Sequence, residues 1–343
     1  MKLPFEFSLK LVFRIVLPGF VLSLGLYPLI AKALATLSVD ASPEIVLTLS
    51  ALTLGWLFVA LDMPIYMVFE GRRYWPGWLW RLLRALEKRR LKHLERVAES
   101  AKKSDPRKYR EASVELRRFP IDRESEERRA ECPTRLGNLI MAYEGYSNLV
   151  YGMDAVFYWP RIWVVLDKDL REEIDNQQAL ADSATYVAAA LVACGVLALL
   201  YAGVGLLPNT QLEWMPYPRA AGLLSAAGIG SAWVFYRLSL HAHAQFGELF
   251  KAVFDMYRCK ISVDDVVREV AEIAGQPSLA QLPAKDQFEI AWRYLHNYRI
   301  KIPSGVVRPK EARERALAAL VASSPQAMRI APGTHGAGGG EGE

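Results

Sequence analysis

The chain has 343 residues, of which 52% are hydrophobic and 23% are charged, and its formal net charge is +5. A soluble domain rarely combines so many apolar residues with so many charges, which indicates that the two kinds lie in separate blocks. The positive charge does not point to nucleic acid, since basic residues collect beside the cytoplasmic ends of membrane helices.

Four apolar runs approach or exceed the ~20 residues that span a bilayer. They cover residues 11–35, 45–69, 185–207 and 220–240. The loops after the first and third runs contain few basic residues, whereas residues 72–96 are rich in arginine and lysine. Because basic residues stay on the cytoplasmic side, we predict an all-α polytopic membrane protein with four transmembrane helices and both termini in the cytoplasm.

The predicted domain organisation follows from these runs. Residues 1–70 contain the first pair of transmembrane helices, and residues 185–240 contain the second pair. Residues 71–184 are too long for a simple connector and predict a helical cytoplasmic domain. Residues 241–325 add further cytoplasmic helices, and the Gly-rich residues 326–343 predict a disordered tail.

Helical periodicity predicts the elements outside the membrane. One continuous helix is expected over residues 168–206, because neither Pro nor Gly interrupts the chain from Lys168 until Gly195. The fourth membrane helix should also continue, with an apolar stripe of Phe246, Leu249, Phe250, Val253 and Tyr257. Shorter helices are predicted over residues 78–99, 106–118, 263–274, 285–298 and 311–322. The cationic faces of the first of these favour either a solvated helix or contact with anionic lipid headgroups.

Three ionisable residues inside apolar runs are candidates for function, because a charge in the membrane is costly unless it is paired or hydrated. Arg14 and Asp62 lie toward the cytoplasmic ends of antiparallel helices, so the two are predicted to approach each other. Arg237 lies near the cytoplasmic end of the fourth helix. Two alternatives follow. In one, an Arg14–Asp62 pair only fixes the register of the helices; in the other, these charges line a hydrated pathway.

Two prolines lie near these charges. Pro18 and Pro64 are predicted to interrupt their helices and to free the carbonyls of Arg14 and Ala60. Two breaks at a similar depth fit a gate or an ion site, and they equally fit ordinary kinks.

Small residues recur at every fourth position in the last two runs. The third run has Ala190, Cys194, Ala198 and Ala202, and the fourth has Gly222, Ala226 and Gly230. Such ridges let helix backbones approach closely, either within one subunit, which we favour, or between subunits.

Residues 155–166 are mostly apolar and aromatic but too short to span a bilayer, and Pro160 is predicted to break them in the middle. They form an interfacial segment, a re-entrant loop or the buried core of the cytoplasmic domain. The segment must be buried against protein or lipid, because exposing so much apolar surface would promote aggregation. Of the three alternatives we favour the core.

Two motifs, TRLGN and YGMD, precede this segment, and a third, WPRIW, lies within it. A charged helix that enters a membrane span follows. In this pattern the chain resembles an uncharacterised family of bacterial multi-pass membrane proteins, with a weaker similarity in FGELFKAVFDMYR at residues 246–258. The resemblance implies a location in the bacterial inner membrane. It also marks candidate functional residues, which are Arg135, Asn138, Glu144, Tyr151, Asp154, Trp159 and Arg161.

The sequence contains no recognisable phosphate-binding loop, zinc-protease motif or nucleophile elbow. Cys132, Cys194 and Cys259 lack metal-ligand spacing and are predicted to be free thiols. His241 and His243 are two apart on a predicted helix and therefore point in different directions. We predict no enzyme activity, no cofactor and no metal site.

The predicted layout is similar to that of bestrophin-type anion channels in topology only, since the bestrophin motifs are not visible. We expect a homo-oligomeric, channel-like membrane protein that is gated from its cytoplasmic domain. The alternative is a non-conducting, membrane-anchored scaffold or signalling protein that binds a cytoplasmic partner protein. An intramembrane or lipid-modifying enzyme is the least favoured reading. The expected partners are the lipid bilayer, anionic lipid headgroups and further copies of the chain, and not nucleic acid.

Overall fold

The computed structural model of the chain describes residues 11–123, 125–205 and 218–301. In these ranges eleven α-helices form the fold, and the only β-type pairing is an isolated bridge between Ile121 and Arg128. The helices are α1 (Leu17–Thr36), α2 (Pro43–Ala60), α3 (Asp62–Phe69), α4 (Gly77–Ser104), α5 (Pro106–Leu116), α6 (Arg135–Tyr151), α7 (Ala155–Val165), α8 (Lys168–Gly205), α9 (Pro218–Tyr257), α10 (Asp264–Ala274) and α11 (Ala284–Lys301). The predicted all-α class is confirmed, whereas the predicted helix at 311–322 and the predicted tail lie outside the described residues.

Four helical segments in the described part of the chain are long and apolar enough to cross a membrane. They are Val12–Thr36, Pro43–Ala60, Lys168–Val204 and Ala220–Lys260. At most 28% of any apolar window is buried inside the chain, so most of this apolar surface faces outward, as lipid-exposed helices require. The protein is therefore a polytopic membrane protein with four transmembrane helices.

The third and fourth transmembrane helices continue well beyond their apolar windows. The predicted continuous helix at 168–206 is observed as α8, and α9 extends to Tyr257. The stripe predicted on the extension of α9 is largely buried, with Val253 only 2% exposed. The Tyr257 hydroxyl donates to Oδ2 of Asp167 at 3.0 Å. This bond joins the beginning of α8 to the end of α9, where both helices extend beyond their apolar windows.

The break predicted at Pro64 is present. The second apolar run is divided at Leu61 into α2 and α3, and Leu61 leaves helical geometry with φ −96° and ψ 15°. Pro64 has no N–H to donate to the carbonyl of Ala60, which accounts for the division.

Pro18 produces a different result from the predicted interruption. Residues Val12–Val16 form a π-helical turn that runs directly into α1, and the Leu17 N–H bonds to the Val12 carbonyl. The chain therefore stays helical past Pro18, with one wider turn on the side where the proline removes a donor.

The described chain divides into two compact units whose bounds differ from the segments predicted from hydropathy. Among the described residues, the first unit takes in those from 11 to 146 and from 163 to 257, and the second takes in those from 147 to 162 and from 258 to 301. The first unit therefore combines the transmembrane helices with most of the segment that was predicted as a separate cytoplasmic domain.

Within the second unit, α10, α11 and the first part of α7 supply the core. Val270, Leu279 and Tyr294 belong to one buried cluster. The Tyr158 hydroxyl donates to the Phe288 carbonyl at 2.7 Å inside this unit. The ring of Tyr158 is therefore buried, and its hydroxyl has a hydrogen-bond partner in the interior.

The predicted break at Pro160 is wrong, because α7 continues from Ala155 to Val165 with Pro160 inside it. The proline deprives the Val156 carbonyl of its helical donor, but Val156 is 76% exposed, so solvent can satisfy that carbonyl. The buried face of α7 is formed by Ala155, Tyr158 and Ile162, which fits the predicted core.

Candidate functional site

The most unusual feature of the transmembrane bundle is a buried carboxylate, Asp182, that is bonded to side chains from two other segments. Its Oδ2 accepts from Arg14 Nε at 2.7 Å and also from Nη2 of the same guanidinium. Its Oδ1 accepts from the Tyr66 hydroxyl at 2.5 Å. Both carboxylate oxygens are thus satisfied, as a charge in this position requires.

His243 on α9 extends this network. The Tyr66 hydroxyl lies 3.2 Å from His243 Nε2, and the Thr185 hydroxyl lies 3.4 Å from the same nitrogen. His243 is 3% exposed, and its Nδ1 is buried without a hydrogen-bond partner in the described part of the chain. We refer to Arg14, Tyr66, Asp182, Thr185 and His243 as the Asp182 network.

Asp62 belongs to a neighbouring contact. Its Oδ1 accepts from the Tyr186 hydroxyl at 2.6 Å, and the Tyr186 ring stacks on Phe58 with centroids 5.8 Å apart. The predicted direct pairing of Arg14 with Asp62 is therefore wrong, because Asp182 is the partner that bonds to Arg14. The prediction overlooked Asp182, which is one turn before Tyr186 on α8.

Close contact between the first two transmembrane helices places Arg14 beside the network. A side chain on Gly19 would collide with the carbonyl of Ala51, and one on Gly55 would collide with the carbonyl of Ile15. Only glycine allows two helix backbones to approach this closely. The π-helical turn then presents Arg14 toward α8.

The network lies at one end of the four apolar segments. Arg14 is near the start of the first segment, and Asp62 and Tyr66 follow the end of the second. The chain continues from α3 into α4, so the helical region that contains α4 and α6 begins at this same end of the apolar segments. The network is thus at the boundary between the apolar bundle and the helical region beyond it.

A second buried acidic residue, Glu70, lies where the chain leaves α3. Arg72 Nε is 2.5 Å from Glu70 Oε2, and Arg72 Nη2 donates to Glu144 Oε2 at 3.0 Å. Burial raises the pKa of Glu70 to about 7, against the opposing effect of Arg72. The motif residue Glu144 also binds Arg72, and its negative charge raises the pKa of Glu70 further.

The motif residue Asn138 holds the TRLGN turn together. Its Oδ1 accepts from the Cys132 N–H at 2.9 Å, and its Nδ2 donates to the carbonyls of Cys132 and Thr134 at 3.0 Å. Asn138 is 1% exposed and uses its amide for backbone groups, so its role here is structural. The three cysteines are free, and burial raises the pKa of the Cys132 thiol to about 11.

The remaining motif residues lie in separate local contacts and do not converge on one site. Asp154 caps α7 by accepting from the Phe157 N–H at 2.8 Å. Arg161 donates to the Phe157 carbonyl at 2.5 Å and lies over the Phe157 ring. Arg258 lies over the ring of Tyr151, Trp159 is half-buried on α7, and Arg135 is 3.7 Å from Glu87.

Arg237 is not part of the Asp182 network. It is exposed on α9, and its guanidinium lies over the Trp233 ring at 5.6 Å. Both side chains face away from the bundle interior, so Arg237 does not line a path through this bundle.

The Asp182 network is the strongest candidate site in the described residues, and of its five residues only Arg14 was predicted as a site residue from the sequence. Asp182 precedes the third apolar run and was counted with the extramembrane segment, although its position one turn before the run was a usable signal. Within the described residues no group of three or more His, Cys, Asp or Glu side chains could hold a metal ion. No protein-family model, curated protein or solved structure matches the chain.

Proposed function

We propose that the protein is a homo-oligomeric, channel-like membrane protein, and that the Asp182 network is the lock that its cytoplasmic helical region controls. The observation that carries the proposal is that one buried carboxylate binds Arg14 from the first transmembrane segment and Tyr66 from the extension of the second. Buried ionisable groups within membrane bundles commonly mark ion or proton pathways.

The energetics of the network suit a lock. A buried ion pair is costly to break by removing one partner, yet it gives little net stability over an apolar contact. Water that enters the site would hydrate both charges and so remove most of the cost of separating them. Entry of water and separation of the helices are therefore coupled. Gating requires two discrete states, and in this proposal they are the paired network seen here and a hydrated network with its helices apart.

The helical region is connected to the network through α9. The Tyr143 ring on α6 packs against Phe246 and Phe250, with centroids 5.9 Å and 5.5 Å apart. The Tyr146 hydroxyl donates to Asp255 at 2.9 Å. A displacement of α6 would therefore move the part of α9 that continues into His243.

The small-residue ridge on α9 supports assembly from several copies. Among the residues that the structure describes, a side chain built on Gly222 or Gly230 meets no neighbour within 4 Å, and Ala226 between them is exposed. Contact with α8 instead uses Gly228, where a side chain would approach Gly195. The predicted packing of this ridge inside one subunit is thus not observed, and the ridge is open to a second copy.

Ion flux in liposomes tests the proposal. We expect K⁺ or Cl⁻ flux from the reconstituted protein, and a higher flux for Asp182→Asn, because the lock then lacks its charge. Glu172→Gln on the same helix is the matched control, since Glu172 is exposed, and it should leave flux unchanged. An absence of flux from all three folded proteins would contradict the channel function.

A second candidate is a non-conducting scaffold, favoured by an apolar stripe on α4. Trp78, Leu82 and Leu86 are 68%, 53% and 48% exposed and are spaced four residues apart on one face. Arg81 and Arg89 flank the stripe, so it fits an amphipathic helix of an acidic cytoplasmic partner. A photocrosslinker at Leu82 should capture such a partner in cells, and Leu82→Lys should abolish its binding. Under this second function the reconstituted wild-type protein should show no ion flux.

A further inference from the structure

An open groove with a volume of about 370 Å³ lies in the first compact unit, where the transmembrane helices give way to the helical region. One wall is formed by Val68 and Phe69 at the end of α3 and by Tyr236 on α9. Trp75 closes the same wall, while Glu87 and Arg135 line the polar part. The groove is therefore amphipathic and lies beside the apolar surface of the bundle.

The apolar wall is fixed in place by its own contacts. Trp75 Nε1 donates to the Val68 carbonyl at 2.8 Å, which holds the indole against the end of α3. The rings of Phe69 and Tyr236 are 6.4 Å apart, and the Tyr236 hydroxyl accepts from the Leu136 N–H at 3.3 Å. A preformed wall needs little ordering when it binds a ligand.

The polar part carries a cation that is only loosely paired. Arg135 Nε is 3.7 Å from Glu87 Oε1, which is too long for a hydrogen bond, and the Arg135 side chain is 38% exposed. Glu87 is instead hydrogen-bonded by Arg90 at 3.2 Å. The guanidinium of Arg135 thus retains N–H donors for an anion, and arginine binds phosphate well because its donors form a planar fork.

We propose that this groove binds the headgroup of a membrane phospholipid, with the phosphate on Arg135. The apolar wall would hold the glycerol and the first carbons of the acyl chains, which then continue along the outward apolar surface of α9. Small-molecule sites range from about 300 to 1,000 Å³, so this groove accommodates a headgroup and not a whole lipid. Its continuity with lipid-exposed helices favours a lipid over a soluble phosphate compound. The proposal does not depend on conduction.

Lipid retained after detergent purification tests the site. The wild-type protein should keep tightly bound phospholipid after washing with excess detergent, as measured by native mass spectrometry. Arg135→Gln should lower the retained lipid about tenfold, since a hydrogen bond to a charged group is lost. Arg110→Gln is the matched control, because Arg110 is exposed on α5 and does not line the groove, and it should retain lipid like the wild type.

A second variant protects the test from a folding defect in Arg135→Gln. Val68→Trp fills the groove without changing any charge, and it should also release the lipid while the melting temperature stays near that of the wild type. Equal retention in the wild type, Arg135→Gln and Val68→Trp would overturn the proposal. Displacement of the bound lipid by millimolar inorganic phosphate would also overturn it, because the site would then select free phosphate.

Discussion

Arg14 and Asp182 are 168 residues apart in the chain, yet the guanidinium of one binds the carboxylate of the other inside the bundle. The two ends of this pair differ in their surroundings, because the Arg14 side chain is 31% exposed and the Asp182 side chain is 3% exposed. The pair is therefore asymmetric: the buried Asp182 carboxylate depends on Arg14 to compensate its charge, whereas Arg14 depends less on Asp182 because it is partly exposed.

This asymmetry predicts unequal costs of mutation. Arg14→Gln should destabilise the protein by about 3 kcal/mol, because it leaves a buried carboxylate without its cation. Asp182→Asn should cost less, about 1–2 kcal/mol, since Arg14 can turn partly toward solvent. Thermal or denaturant unfolding in detergent measures both. A larger cost for Asp182→Asn than for Arg14→Gln would show that this description of the pair is incorrect.

Glu70 predicts a pH dependence of stability. Its folded pKa of about 7 is above its ordinary value of 4.5, so the folded state holds the proton longer than the unfolded chain does. Stability should therefore fall as the pH rises from about 4.5 to about 7, by at most about 3 kcal/mol from this group. Glu70→Gln should remove that part of the slope, as measured by unfolding across this pH range. Glu111→Gln on the exposed face of α5 is the control, and an identical change in slope for both variants would exclude Glu70 as the origin.

The open ridge on α9 predicts an effect on assembly. Gly230→Leu should lower the oligomeric state in detergent, because the added side chain meets no neighbour in the described part of the chain and would obstruct a second copy. Gly203→Leu adds the same side chain on α8, where no described residue lies within reach of it either, and should leave the assembly intact. Size-exclusion chromatography with light scattering distinguishes the two. A monomeric wild type would remove the basis for this prediction and for an oligomeric channel.

The burial of residues on α7 predicts which of two mutations destabilises the protein more. Ile162 is fully buried, with 0% exposure, whereas Trp159 is only half-buried. Ile162→Ala should therefore destabilise the protein by about 2–5 kcal/mol and Trp159→Ala by clearly less. Melting temperatures of both variants measure the order, and the reverse order would mean that Trp159 is the central core residue.

Orientation remains a prediction from the distribution of arginine and lysine. Reporter fusions at Asp40 and Asn209 should report the outside, whereas fusions at Ser104 and Gly333 should report the cytoplasm. The groove and the Asp182 network would then both face the cytoplasmic leaflet. A cytoplasmic signal at Asp40 would invert the whole arrangement.

The regular parts of this fold could be predicted from the sequence because they depend on local patterns. The length of the apolar runs and the absence of helix breakers between Lys168 and Gly195 were sufficient for the four spans and for the continuity of α8. The stripe ending at Tyr257 was also visible, because a helical period of 3.6 residues repeats within a few turns.

The site could be predicted only in part, because its bonds join distant segments. Arg14 and Asp62 stood out as charges within apolar runs, but the partner of each is set by helix rotation and depth, which periodicity does not determine. Asp182 lies outside the apolar run, and the spacing of His243 from His241 predicts only a poor metal pair, so local patterns mark neither residue as part of a site. Pro160 was misjudged because the cost of a helical proline depends on whether solvent reaches the freed carbonyl, and that is known only once the exposure of Val156 is known.

The wide turn at Val12–Val16 has a consequence for how this chain tolerates insertions and deletions. The Leu17 N–H bonds five residues back to Val12, so the turn contains one residue more than an α-helical turn. Each residue in an α-helix rotates its side chain by about 100°, so losing one residue here would redirect Arg14 away from Asp182 without changing any side chain of the network. The contact is therefore encoded in the spacing of the chain as well as in the identity of its residues. A family of sequences with this network should vary freely in composition at Val12 and Val16 but keep the number of residues between Arg14 and Gly19.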